Sequence, residues 1–233
     1  NKTSTAPIKN GNYIDVLKAI KEGFWKSQID YARSVEPDEY KKVKGELMGV
    51  TFCGTFSDRE AQNIESHSGL VIIDIDHIDL RQIKVLKGDF SIDKFIHAAF
   101  VSPSNEGMKI LFKVDSPKEQ HINAFEGIKK YLEDKYAMSI DKSGKDICRL
   151  CFVSYDPELY LNEESEVWHT EITSSGETIY NADYGKWRSV NFVGRKVSTD
   201  TQYIFKLCKK WVENNTQFVP GSIASILFIF SLK

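Results

Sequence analysis

Apolar residues recur at Ile14, Leu17, Ile20, Phe24 and Trp25. That three- and four-residue spacing lays one stripe along a helix and predicts a helix over 13–29. Polar residues 34–44 then lead to Gly49-Val-Thr-Phe-Cys-Gly-Thr-Phe56, a glycine-bounded, β-branched and aromatic run that reads as one strand. Ser57-Asp-Arg-Glu60 has the spacing of a capping box and predicts the start of another helix. Leu70-Val-Ile-Ile73 is apolar on both faces, as a central strand covered on each side is, and it ends in Asp74-Ile-Asp76. Two strand-like runs, 95–102 and 108–114, joined by Pro103-Ser-Asn-Glu-Gly107, predict a hairpin. Ser116-Pro-Lys-Glu119 is a second capping box, and Ile122, Phe125, Ile128 and Leu132 form the stripe of the helix it starts. Residues 149–155 are one more strand.

This order implies an α+β domain, a mixed or antiparallel sheet flanked by helices, over residues 1–165. The remainder, 166–233, reads as a linker and a truncated helical extension: polar and turn-rich at first, helical in pattern over 201–212, apolar over 223–232. Its last run reads either as the opening of a longer protein or as a final helix docking on the same core. A composition of 41% hydrophobic and 12% aromatic residues supplies a core and excludes disorder as the main state. With 31 Lys and Arg against 33 Asp and Glu there is no global basic field, so any contact with nucleic acid must be local. The apolar run at 223–232 falls short of the roughly 20 residues that span a bilayer, and no membrane partner is expected. The polar residues 1–10 do not resemble a secretory signal, which makes a cytoplasmic location the expectation. Four cysteines are too few for a disulfide scaffold, and Cys148-Arg-Leu-Cys151 has no second ligand pair; packing thiols are expected.

Three elements carry chemistry. Side chains alternate along a strand, so Asp74 and Asp76 leave one face with Cα atoms about 6–7 Å apart. Two ionised carboxylates this close repel and lose hydration unless a cation lies between them, and oxygen-only ligands suit Mg²⁺ or Mn²⁺. The plainer reading is a solvated strand end. Next, the loop from Ser102 to Lys109, with Ser104 and Gly107 inside it, can offer amides and hydroxyls to phosphate oxygens, and Lys109 adds a point charge. Alternation sets Lys109 away from the apolar layer of Met108, Ile110 and Phe112; taken alone, it is a surface lysine on a hairpin. Third, Asp141 or Asp146 could complete a three-carboxylate site, with Arg149 binding phosphate through its planar fork, and spacing does not choose between the two aspartates. His77 faces the other side of the strand and reads as a packing or rim residue. Trp187 is a core or linker anchor that could stack a base.

Taken in order, these motifs resemble those of the archaeo-eukaryotic primase superfamily. The runs Gly54-Thr-Phe-Ser-Asp-Arg59, Ser68-Gly-Leu-Val-Ile-Ile-Asp-Ile-Asp76, Ser102-Pro-Ser-Asn-Glu-Gly-Met-Lys-Ile110 and Asp146-Ile-Cys-Arg-Leu-Cys-Phe-Val-Ser-Tyr-Asp-Pro157 resemble the VirE N-terminal-domain branch of bacterial primase-polymerases. The resemblance covers roughly residues 8–165. It implies an RRM-like catalytic half and a DNA primase-polymerase activity of a mobile element or replication module. It further implies Asp74, Asp76 and Asp141 as catalytic metal ligands for Mg²⁺ or Mn²⁺. Ser102, Ser104, Gly107, Lys109 and Arg149 would bind the nucleoside triphosphate. A DNA template and a helicase module, fused or in trans, would be the partners. The sequence departs from the wider superfamily in placing Met108-Lys109 where most members carry a histidine. A nucleic-acid-binding or helicase-docking module without catalysis, and a metal-dependent nuclease, are the alternative functions.

Overall fold

The computed structural model describes residues 7–172 and 178–180. Three helices come first: α1 (Tyr13–Glu22), α2 (Lys26–Ser34) and α3 (Pro37–Lys44). The single helix expected over 13–29 is therefore broken. Gly23 takes a left-handed φ of 83° and returns its N–H to the Ala19 carbonyl, which ends α1 as glycine commonly does. Phe24, assigned to the buried stripe, is 77% exposed, whereas Trp25 turns inward. Helix α3 lies in the stretch that reads as a polar leader; Pro37 in its first turn, with Asp38 and Glu39 beside it, suits a helix start. It buries only Val43, which is why it leaves no apolar periodicity.

The strand expected over 49–56 is two short ones, β1 (Gly49–Val50) and β2 (Gly54–Phe56), in different sheets. No helix starts at Ser57. A 3-10 turn at Ala61–Asn63 brings the chain back as β3 (Ile64–His67), antiparallel to β2. Ser57 donates its N–H to Asn63, whose side-chain amide donates to Asp58 at 2.8 Å, so these polar groups close a loop and do not cap a helix.

The remaining elements are β4 (Leu70–Asp76), α4 (Leu80–Phe90), β5 (Ile96–Val101), β6 (Gly107–Lys113), α5 (His121–Tyr136), β7 (Cys151–Phe152), β8 (Tyr160–Leu161), β9 (Thr170–Ile172) and β10 (Thr178–Tyr180). Helix α4, absent from the sequence reading, opens on a capping box between Asp79 and Gln82. Helix α5 follows its expected position but turns Ile122 outward and buries Phe125, Ile128, Tyr131 and Leu132. Of the strand expected over 149–155 only β7 forms, paired with β1.

The principal sheet has the order β4-β6-β5-β8, with antiparallel ladders. The expected hairpin is its β5–β6 pair, with Val101 opposite Met108. Strand β4, expected in the centre, is an edge strand. Both its faces are nonetheless covered, as its apolar run requires. On one face Val71, Ile73 and Ile75, Met108, Ile110 and Phe112 pack with residues of α4 and α5. On the other, Ile72, Leu111, Ala98 and Phe100 pack with Leu17, Ile20 and Ile29 of the first two helices and with Cys53 and Cys151. The described residues thus form an α+β fold of small antiparallel sheets and five α-helices. Packing runs past residue 165: Trp168 is wholly buried and donates its N–H to the Lys113 carbonyl at 2.8 Å. No described helix is long and apolar enough to cross a membrane. Trp187, Cys208, the helical pattern over 201–212 and the apolar run over 223–232 lie outside the described residues.

Candidate metal centre

The register of β4 on β6 and of β6 on β5 arranges the second sheet face in cross-strand rows: Ile72, Leu111 and Ala98, then Asp74, Lys109 and Phe100. One step further, Asp76 stands opposite Gly107, and Ser102 donates its N–H to the Gly107 carbonyl at 2.8 Å. The face is apolar at the row of Ile72, Leu111 and Ala98 and turns polar at the row of Asp74 and Lys109. Cross-strand neighbours on one face are close enough for direct contact. Lys109 accordingly forms an ion pair with the Oδ2 atom of Asp74. Both are buried, with Asp74 7% and Lys109 9% exposed. The expectation of a surface lysine is corrected: alternation gives its face, but that face is covered.

Asp141 arrives from the segment after α5. Its N–H donates to the Asp74 carbonyl at 3.0 Å, on the otherwise open edge of β4. Gly144 permits this approach, because a Cβ there would lie 2.7 Å from the Phe125 ring and 2.9 Å from the Ile72 carbonyl oxygen. Burial alone would raise the Asp141 pKa. Hydrogen bonds from the Ser143 hydroxyl and N–H, with Arg149 and Lys109 nearby, outweigh it and hold this carboxylate below its ordinary value. Arg149 reaches Asp74 at 3.6 Å and Asp141 at 3.5 Å.

One carboxylate oxygen from each of Asp74, Asp76 and Asp141 lies within 4.8 Å of the others. Asp146 does not join them; its Oδ1 accepts from the N–H and thiol of Cys148, both at 3.1 Å. The Oδ1 atom of Asp74 is buried and has no hydrogen-bond partner. A buried carboxylate oxygen left this way is costly unless something completes it. Three carboxylates around such an atom could hold a divalent ion, and an all-oxygen set suits Mg²⁺ or Mn²⁺.

The 102–107 loop sits beside Asp76. Part of its hydrogen-bonding capacity is used internally: Asn105 donates to the Ser102 carbonyl at 3.1 Å, Glu106 donates to the Ser104 hydroxyl at 3.3 Å, and the Ser102 and Ser104 hydroxyls are 3.1 Å apart. Gly107 is required by close approach, since a Cβ there would lie 2.4 Å from the Ile75 carbonyl oxygen. A residue without a sequence signal holds the loop from outside. Arg33 of α2 donates to the carbonyls of Pro103 at 3.0 Å, Ser102 at 3.3 Å and Tyr155 at 3.1 Å.

An open groove of about 830 Å³ starts at Asp76 and Asp141 and runs along Ile78, Arg81, Val85 and Tyr136. His77, exposed and left-handed with φ 59°, stands on its rim. Cys53, Cys148 and Cys151 are free and buried, and burial pushes the Cys53 and Cys151 thiols up to about 12, as packing thiols require.

The family model described as BT4734-like, N-terminal domain, matches residues 42–161, just over half of the chain. No curated protein and no solved structure matches significantly.

Proposed function

The chain belongs to the family of BT4734-like N-terminal domains, and from that membership and its acidic cluster we propose a metal-dependent nucleotidyltransferase of the primase-polymerase kind, in the VirE N-terminal-domain branch. The observation that carries the reading is the buried, unpartnered Oδ1 of Asp74 within a triad of carboxylates that has two cations beside it. The reaction is attack of a strand's 3′-hydroxyl on the α-phosphorus of a nucleoside triphosphate, forming a phosphodiester bond and releasing pyrophosphate.

Asp74, Asp76 and Asp141 would hold the divalent ions. Bound there, Mg²⁺ or Mn²⁺ supplies a lowered pKa for the attacking hydroxyl and charge neutralisation for the phosphates. Asp141 is suited to its part by position, since its N–H is tied to the Asp74 carbonyl and its carboxylate lies beside those of Asp74 and Asp76. Lys109 and Arg149 bring positive charge to the triphosphate side, Lys109 as a point charge and Arg149 as a planar fork. The hydroxyls of Ser102 and Ser104, 3.1 Å apart in the loop before Gly107, would be turned to phosphate oxygens. Gly107 allows that loop to lie against β4. Template DNA would be held through backbone charge by a local basic surface, since the chain as a whole is not basic.

The test is incorporation of labelled nucleotide on a DNA template with Mn²⁺ or Mg²⁺. Incorporation lost in Asp76→Asn, an exposed member of the triad whose change leaves the buried Lys109–Asp74 pair in place, supports the assignment; unchanged incorporation in that variant rejects it. The direct ion pair of Lys109 with Asp74 favours a second reading, a primase-fold module that binds nucleic acid or docks a helicase without catalysis. Under that reading DNA affinity persists while the wild type incorporates nothing. Strand cleavage without added nucleotide identifies a nuclease built on the same carboxylates.

A further inference from the structure

We propose that Lys109 and Arg149 are the cluster's built-in counter-cations, which metal and triphosphate displace together, so that the two ligands bind cooperatively and neither binds well alone. The inference rests on the reading of the cluster as a metal and nucleotide site. Lys109 is fixed on Asp74 by strand register, directly across the ladder. It is nine-tenths buried, so its ammonium cannot turn freely to water. Arg149 reaches the same Oδ2 atom of Asp74 and bridges it to Oδ2 of Asp141. Three carboxylates with two cations leave one formal negative charge, far less than the acidic triad suggests by itself.

A divalent ion that reaches the triad meets those two positive groups at close range. Both already engage oxygens of the carboxylates that it needs. The buried ammonium cannot simply be pushed off Asp74, because a buried charge without a partner is strongly unfavourable. A triphosphate resolves this by giving Lys109 and Arg149 new anionic partners at the moment the ion takes the carboxylates. One divalent ion turns the cluster's formal charge from −1 to +1, which then suits a polyanion. The coupling is reciprocal, since whatever factor the nucleotide adds to metal affinity the metal adds to nucleotide affinity. A bare acidic triad behaves in the opposite way: it binds the ion tightly by itself and gains little from nucleotide.

The experiment is Mn²⁺ binding to the full chain, read from the electron paramagnetic resonance signal of free Mn²⁺, with and without a non-hydrolysable nucleoside triphosphate analogue. In the wild type the analogue tightens Mn²⁺ binding by a factor in the range of roughly 5–150. Lys109→Met binds Mn²⁺ alone more tightly than the wild type, by about tenfold, and loses most of that tightening. Arg149→Gln, at a half-exposed side chain that folding does not depend on as heavily, moves the same way by a smaller factor and decides the matter should Lys109→Met fail to fold. Equal or weaker Mn²⁺ binding in the folded variants, beside a wild type that binds it, overturns the proposal and leaves the metal site standing. Absence of Mn²⁺ binding from every protein, with analogue present, overturns both.

Discussion

Alanine at Gly144 probes the contact that delivers Asp141 to the cluster. Its Cβ would stand 2.7 Å from a Phe125 ring carbon and 2.9 Å from the Ile72 carbonyl oxygen. The second atom belongs to the backbone of β4 and cannot yield, so the loop must retreat by about 0.5–0.7 Å to reach ordinary van der Waals separation. Such a shift stretches the hydrogen bond from the Asp141 N–H to the Asp74 carbonyl, now 3.0 Å, toward the limit of a useful bond. Overpacking costs about 1–3 kcal/mol and a weakened hydrogen bond up to about 1 kcal/mol, together roughly 1–4 kcal/mol. For a chain of this size that lowers Tm by roughly 2–16 °C. Mn²⁺ affinity falls in parallel, because Asp141 leaves with the loop. Gly88 provides the opposite sign within one experiment. It lies inside α4 with nothing within 4 Å of a new Cβ, so Gly88→Ala stabilises by about 0.5–1 kcal/mol. Both variants are read by calorimetry and by Mn²⁺ titration. A Gly144→Ala protein that melts with the wild type, or two alanine variants that shift in the same direction, refutes the account of how this edge is built.

Two further outcomes follow from groups away from the triad. His121 is 2% exposed, and burial with the neighbouring His67 outweighs the Gly144 backbone and Asp146 and pushes its pKa from 6.5 down to about 4. The unfolded chain takes up this proton near 6.5 and the folded chain only near 4, so stability is full above pH 6.5 and is lost as pH falls through that window, by up to about 3 kcal/mol. Urea unfolding at pH 7.5 and pH 4.5 measures the loss, and His121→Phe, which keeps an aromatic ring against His67, shrinks it; equal losses in the two proteins contradict the assignment. Arg33→Met removes three hydrogen bonds to the carbonyls of Ser102, Pro103 and Tyr155, with an expected cost of about 2 kcal/mol in thermal unfolding. In the incorporation assay it raises KM for nucleotide more than it lowers kcat, because it positions the loop and touches no reacting atom; a change in kcat alone would count against that role.

What was legible along the chain is what short-range periodicity controls. Alternation in 70–76 and 108–114 put Asp74 and Asp76 on one face and Lys109 opposite the apolar set, and the two strands have that pattern. Periodicity failed where one residue overrides it, as at Gly23, and where a helix buries almost nothing, as α3 does. The capping-box spacing at Ser57 misled because the same side chains close a hairpin loop once β3 returns beside β2. Asp141 and Asp146 could not be told apart because the deciding contact is an edge of β4 met by a loop that only Gly144 lets in. Arg33 gave no signal at all, since its partners are backbone carbonyls that any sequence supplies.

The plain readings in the sequence, a solvated strand end and a surface lysine, hold for Asp76, which is exposed, but fail at Asp74 and Lys109 for one shared reason. Each assumes that a polar residue on a strand marks a face open to water. Here the face is covered by the opening helices and by β7, and Asp74 and Lys109 are buried opposite each other. Lys109 could not remain there without Asp74, because an isolated buried charge costs several kcal/mol, whereas Asp74 keeps Arg149 as a second cation. The register that pairs them thus lets a buried lysine sit on a covered face. It also sets the chemistry: an ammonium held on Asp74 Oδ2 leaves Oδ1 without a partner, beside Asp76 and Asp141. A polar row that would destabilise a covered sheet if Lys109 lacked its partner is, with both present, a position where charge is held ready for a ligand.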